Sequence, residues 1–416
     1  MIYIKLIISI LVISTVSAEN KRLSFEDVQG KSPFNYSSIN FLNWVPNENT
    51  YISRHNGKLI KVDIFSSDTS LFLSNDDFYA NGNIIVKKGV SKKPEWDKKF
   101  VPSTFLFDKS GEKILFISKK EKIWRRSFYA SYFVMDLKTK QIYSISENNK
   151  KLRNGKFSPD GKKVAYVRED NNIYVYDLKK YREKQITFNG SEKILNGLHG
   201  WVYEEEFGSF DAYRWSPDSK FIAYWEEDRS NVPIFKLFDE LELYPTTQKI
   251  FYPKAGEKNP IKNIFVVDVK NRNRKKMNIG DNKDTYYPWL KWISNENIIV
   301  MRMNRLQNFW EFLNISRFNG KYHSGLSESD PNGWVELHRN YHFLNDGNII
   351  WISERSGWHH IYIHDLKGNL ISQLTSGEWE VKNISHIDEK NKKIYFVSNK
   401  ESVFENRFYS INFDGS

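Results

Sequence analysis

Polar, turn-forming clusters punctuate this chain, and between them run short apolar segments of strand length. The clearest unit is Phe157-Ser158-Pro159-Asp160-Gly161, leading into Lys162-Lys163-Val164-Ala165-Tyr166-Val167 and then into Ile173-Tyr174-Val175-Tyr176-Asp177-Leu178. Pro presets one turn angle and Gly supplies a positive φ, so Pro-Asp-Gly predicts a turn with a strand behind it. A second copy begins at Trp215-Ser216-Pro217-Asp218-Ser219 and leads into Phe221-Ile222-Ala223-Tyr224. Looser copies begin near Trp44, Phe107, Trp292, Phe343 and Ile387. Their later strands end near Asp-Leu or Asp-Val, as in Val134-Met135-Asp136-Leu137 and Phe265-Val266-Val267-Asp268-Val269. Starts fall mostly about 44 to 63 residues apart, the period of four-stranded blades. The pattern predicts an all-β chain, a β-propeller of about seven blades over 44–416, preceded by a lead-in segment over 19–43.

The interval from Trp215 to Trp292 is the longest, and its excess predicts an arm inserted in a blade over about 226–262. Phe235, Leu237, Phe238, Leu241, Leu243 and Tyr244 make that arm too apolar for a disordered loop. An apolar arm on a propeller is a natural contact surface.

Composition narrows the reading. At 416 residues the chain is too long for one compact core unless it is a closed repeat. An aromatic content of 16% favours strands. The net charge of +11 is a mild excess over this length, and no dense basic stretch is interleaved with aromatics, so no nucleic-acid partner is expected. With no cysteine, disulfides, thiol nucleophiles and cysteine metal sites are excluded. Neighbouring side chains on a strand point to opposite faces, so His359 and His360 do not converge, even with His364 nearby. Neither a metal nor a cofactor is expected. Met1–Ala18 reads as a secretory signal, with Lys5 ahead of the apolar run Leu6 to Val16 and small residues at Val16-Ser17-Ala18. The competing reading is an uncleaved membrane anchor, for which the run is shorter than the ~20 residues of a span. Asn35, Asn189, Asn314 and Asn383 each open a glycosylation sequon, which fits secretion.

The chemistry concentrates in Asn196-Gly197-Leu198-His199-Gly200-Trp201-Val202-Tyr203-Glu204-Glu205-Glu206. Three adjacent carboxylates repel one another, so the run persists where it is solvated or meets positive charge. Read as a bare charge run it is a solvated face. It is followed by Asn231-Val232-Pro233 and Tyr252-Pro253-Lys254-Ala255-Gly256, and preceded by Trp124-Arg125-Arg126-Ser127-Phe128-Tyr129. In order and spacing these segments resemble the propeller half of the dipeptidyl peptidase IV family. Ser353-Glu354-Arg355-Ser356-Gly357-Trp358 and Gly377-Glu378-Trp379 resemble its later blades. The resemblance covers nearly all of the chain after the signal segment.

The resemblance implies an eight-bladed propeller, of which about seven blades are present, joined in the family to an α/β-hydrolase domain. That domain is not expected within these residues. Gly325-Leu326-Ser327-Glu328-Ser329 lacks the final glycine of a nucleophile elbow, and no Gly-x-Ser-x-Gly occurs. It further implies that Glu205 and Glu206 hold the ammonium of a peptide with a free amino terminus, and that Arg125 donates to a carbonyl near that end. A protonated α-amino group offers three donors, which two fixed carboxylates can satisfy. Glu204, Tyr203 and His338 are further candidates for the pocket, His338 standing where the family has an aromatic. Cleavage after the second residue, commonly Pro or Ala, and homodimerisation through the arm are implied for the intact protein. The alternative is a catalytically inactive homologue acting as a binding or scaffold protein.

Overall fold

The computed structural model describes residues 41–74, 77, 104–145, 151–241, 243–337 and 341–416. The chain divides into a unit 1–41 and a unit 42–416. The blades make up the second unit, and their first strand, Phe41–Trp44, begins at the last residue of the first.

Among the described residues, seven antiparallel blades succeed one another, over 41–73, 105–144, 152–185, 194–276, 285–329, 341–373 and 381–412. The first six carry four strand positions each and the seventh carries three strands. A single bridge, Ala130 to Leu152, joins the second and third blades into one sheet. The first blade starts at Phe41, a few residues earlier than the sequence pattern placed it.

The second to sixth blades are buried on both faces, which is why their strands read as apolar runs and not as strict alternations, while the first and seventh each contribute to a single apolar layer. Along the strand Lys113–Lys122, Ile114 and Phe116 pack with Ile52, Leu59 and Leu73 of the first blade. Leu115 turns the other way and packs with Val164 and Tyr166 of the third. The same division recurs at every step, so six apolar layers lie between the seven consecutive blades.

The Pro-Asp turns stitch neighbours together. In the third blade Ser158 Oγ donates to Asp160 (2.6 Å) and accepts from the Lys163 amide (3.0 Å). The fourth blade repeats this with Ser216, Asp218 (2.7 Å) and the Phe221 amide (2.9 Å). Gly161 holds φ +64°, and a Cβ there would lie 2.6 Å from Asp108 of the preceding blade. Its counterpart Ser219 accepts the same left-handed backbone at φ 61°. Its hydroxyl accepts from the Asp160 amide at 2.9 Å, and Asn295 of the fifth blade accepts from the Asp218 amide at 2.9 Å.

Two departures from regularity position the site. The first strand of the fourth blade is split into Ile194–Asn196 and Tyr213–Trp215, both paired to Phe221–Asp228. The first strand of the fifth blade is likewise split, into Thr285–Tyr286 and Leu290–Trp292. The inserted arm is a hairpin, Ile234–Asp239 against Thr246–Phe251. It is narrower than the 226–262 expected, because the blade strands stay paired right up to Asp228 and Ile261. Phe238, Leu241, Leu243 and Tyr244 on it are exposed.

Candidate functional site

The break in the first strand of the fourth blade is filled by a six-residue helix, α1 (Trp201–Glu206), which carries the acidic run. Successive residues of a helix are turned by about 100°, so three consecutive glutamates point in three directions. Glu204 points inward and is fully buried. Its Oε1 accepts from the backbone amides of Arg126 (2.6 Å) and Ser127 (2.8 Å). Those residues close the turn of the second blade in which Ile123 N donates to Ser127 O at 2.9 Å. The carboxylate also faces the guanidinium of buried Arg153, which lies over the Tyr129 ring at 5.7 Å. Burial pushes the Arg153 pKa down, opposed by the charge of Glu204 and by Tyr129.

The turn so pinned presents Arg125. Its Nε lies 3.0 Å from Oε2 of Glu205, with the arginine side chain 70% exposed and the glutamate 15%. Glu206 is exposed, with no hydrogen bond or ion pair among the described residues. It borders a pocket of ≈ 360 Å³ whose walls include Phe207, Arg214, Trp289, Trp334 and Tyr341. Trp289 and Tyr341 stack at 4.3 Å with 9° between their planes.

Behind α1 lies a buried polar support. Gly200, at the helix start, donates its amide to Glu227 Oε2 at 3.0 Å. A Cβ on Gly200 would lie 2.4 Å from Glu227 Oε1, so no larger residue fits without displacing that carboxylate. Glu227 pairs with Lys262, whose ammonium also lies 2.8 Å from His199 Nδ1 and 3.8 Å from the centre of the Tyr203 ring. Burial, Lys262 and Arg214 hold the His199 pKa well below its ordinary value. Both this and the contact with the lysine favour a neutral ring with Nδ1 as the acceptor. Burial likewise lowers the Lys262 pKa, against the pull of Glu227. Tyr203 stacks on His199 at 4.8 Å, and its hydroxyl accepts from the amide of Tyr287 (3.0 Å), in the gap of the split strand of the fifth blade. Trp201 meets Tyr252 at 5.1 Å, and Tyr252 meets Phe235 of the hairpin at 5.9 Å.

Of the residues singled out in the sequence, Arg125 and Glu205 meet directly and Glu206 stands next to them in the chain. Glu204 and Tyr203, named as pocket candidates, are instead buried: one holds the Arg125 turn and the other anchors α1 to the fifth blade. His338 lies outside the described residues, as does Asn35. Asn189 donates its amide to Glu226 at 2.8 Å, Asn314 is half-buried, and Asn383 is exposed. His360 is buried between Thr375 Oγ1 (3.0 Å) and Gly377 O (2.9 Å), while His359 meets Glu354 at 3.1 Å. Sequence reasoning missed the Glu227–Lys262–His199 support and the aromatic wall of Trp289, Trp334 and Tyr341. A signal for the first was present, since Glu226-Glu227 and Lys262 stand on strands that carry the apolar runs Phe221–Trp225 and Ile264–Val267.

A β-propeller with a short acidic helix filling a broken strand, matched to an arginine on the turn of another blade, defines the class. Residues 108–416 match the family described as the dipeptidyl peptidase IV (DPP IV) N-terminal region. The chain belongs to the dipeptidyl peptidase IV family. It is 30% identical over 279 residues to a dipeptidyl peptidase 4 of Trichophyton tonsurans, covering 63% of this chain and 36% of that protein. It is 33% identical over 277 residues to the prolyl endopeptidase FAP of Mus musculus, covering 60% of this chain and 35% of that one. Among solved structures, Porphyromonas gingivalis dipeptidyl peptidase 4 superposes with a TM-score of 0.81 at 27% identity, covering 95% of this chain and 55% of that one. The matches thus span about a third of the length of the curated relatives and about half of the solved structure.

Proposed function

We propose that this chain is the propeller region of a secreted dipeptidyl peptidase IV-like serine exopeptidase, and that it binds the free amino terminus of peptide substrates. The observation that carries the reading is the Arg125–Glu205 contact at 3.0 Å, with Glu206 exposed beside it at the mouth of an aromatic-walled pocket. Glu205 and Glu206 receive the substrate ammonium, and Arg125 keeps one side of its fork for the first carbonyl. A guanidinium can serve a carboxylate and a carbonyl together because its donors are fixed in a plane. Two carboxylates at the end of the site admit a charged amino terminus and reject a blocked or extended one, which limits release to a dipeptide. These 416 residues hold no Gly-x-Ser-x-Gly, so on their own they bind and do not cleave. In the intact enzyme the exposed apolar hairpin over 234–251 is the surface through which two copies pair.

The test is calorimetric titration of the chain with Ala-Pro amide and with N-acetyl-Ala-Pro amide. Binding of the first and none of the second is expected. Glu205→Gln removes a charged partner of the ammonium and weakens binding roughly tenfold to a hundredfold. Equal affinity for the acetylated peptide, or an unchanged Glu205→Gln variant, overturns the assignment.

A further inference from the structure

A groove of ≈ 730 Å³ runs between the third and fourth blades. It lies at the opposite end of the strands from α1. The strand Lys163–Arg168 starts at the groove and ends at the turn whose Asn171 carbonyl accepts from the amide of Asn196, just ahead of the helix.

Seven cations line this groove from two banks: Lys163, Lys180, Arg182 and Lys184 from the third blade, and Lys220, Lys270 and Arg272 from the fourth. Arg182 and Lys184 alternate on the strand Arg182–Gln185 and so share one face. The carboxylates among them are already engaged. Asp177 accepts from the amides of Lys179 (3.0 Å) and Lys180 (2.8 Å). Asp268 accepts from the amides of Lys270 (2.7 Å) and Asn271 (3.2 Å). Glu183 is taken by Arg168 and Tyr166. Seven cations against the three carboxylates Asp177, Glu183 and Asp268 leave the lining with a positive excess, although Lys220 lies 3.5 Å from Asp218. Partial burial and the like charges of Arg272, Arg182 and Lys180 push the Lys184 ammonium below its ordinary pKa, with Asp268 opposing. The Lys184 ammonium reaches across to the Lys270 carbonyl, which holds the two banks together.

We propose that this inter-blade groove binds a linear anionic polysaccharide, with its sulfate or carboxylate groups lying between the two rows of cations. Cations spread along two banks fit an extended chain with repeated charges better than a single converging anion. No aromatic side chain lines the groove. Single-stranded nucleic acids are held by bases stacked on aromatic rings, so the groove lacks the feature they need. Val175 and Val269 are its only aliphatic lining, too little to recognise peptide side chains. The proposal concerns the end of the blades away from the acidic site and does not depend on what that site binds.

The experiment uses the full chain and a size-defined heparin oligosaccharide, titrated over a range of salt concentrations. Lys180, Arg182, Lys270 and Arg272 are all exposed, so their replacement leaves the core intact. The set K180E/R182E/K270E/R272E is expected to weaken binding about 30-fold or more and to flatten the dependence of log K on log salt by about 3, roughly 0.7 to 0.9 for each of the four cations lost. A control with equal net charge, K109E/K138E/K367E/K390E, stays within about threefold of the parent. The neutral set K180Q/R182Q/K270Q/R272Q moves in the same direction by less, which guards against misfolding of the charge-reversed protein. Equal losses in groove and control sets mean a net-charge effect and overturn the proposal. An unchanged groove set overturns it as well. So does displacement of the oligosaccharide by an equally charged single-stranded oligonucleotide or poly-glutamate at lower concentration, each of which names another class of occupant.

Discussion

Removing the Glu204 carboxylate should release the turn that presents Arg125. In Glu204→Ala the amides of Arg126 and Ser127 lose the acceptor that now lies 2.6 and 2.8 Å away. A hydrogen bond to a charged group contributes about 1.5–3 kcal/mol, so the pair contributes roughly 3–6 kcal/mol to holding the turn closed. Arg153 loses a carboxylate that offsets its burial, which adds in the same direction. If the full amount appears as easier local opening, exchange of the two amides accelerates by about 100-fold or more. Hydrogen exchange resolved at Arg126 and Ser127 reads this directly, alongside titration with Ala-Pro amide. Glu204→Gln keeps one acceptor oxygen without the charge and should fall between parent and Glu204→Ala in both readouts. The affinity loss should be smaller than the exchange effect, because Glu205 and Glu206 keep their places on α1. The reasoning fails if Glu204→Ala lowers global stability while exchange at these two amides stays as in the parent.

The same geometry sets other outcomes. Peptide affinity should fall as pH rises through about 8, because the ligand ammonium loses its proton near there, and titration at pH 6, 8 and 9.5 checks it. Gly200→Ala should destabilise by about 1–3 kcal/mol in urea unfolding, since its Cβ would stand 2.4 Å from Oε1 of Glu227, whose other oxygen is held by Lys262. Tyr203→Phe leaves the Tyr287 amide without its acceptor, so about 1–3 kcal/mol is lost, and α1 should show faster exchange before the rest of its blade does.

The blades could be read from the sequence because their turns are chemically specified. Ser158-Pro159-Asp160-Gly161 and Ser216-Pro217-Asp218-Ser219 close on themselves through side-chain oxygens, so the local sequence suffices. The arm could be located but not delimited, since nothing local says that Asp228 and Ile261 still pair before the chain departs. The acidic run stood out in the sequence, but its division of labour did not. As a string, Glu204, Glu205 and Glu206 are equivalent; only their placement on a helix between two blades makes one a turn anchor, one the partner of Arg125 and one the exposed charge at the pocket. The support beneath them joins His199, Glu227 and Lys262 across up to 63 positions of chain. Such pairing depends on which strand neighbours which, and no local motif encodes it.

The acidic helix is fastened at three separate points. Glu204 ties it to the turn of the second blade, Gly200 to Glu227 of its own blade, and Tyr203 to the gap in the fifth. Such a mount fixes both position and tilt, and it behaves like an alignment gauge for the three blades it touches. A small relative rotation of the second or fifth blade disturbs the spacing between Arg125 and Glu205 before any strand has separated. Ligand affinity should therefore decline with temperature ahead of the loss of β-sheet signal, and by its decline report blade misalignment that circular dichroism does not see.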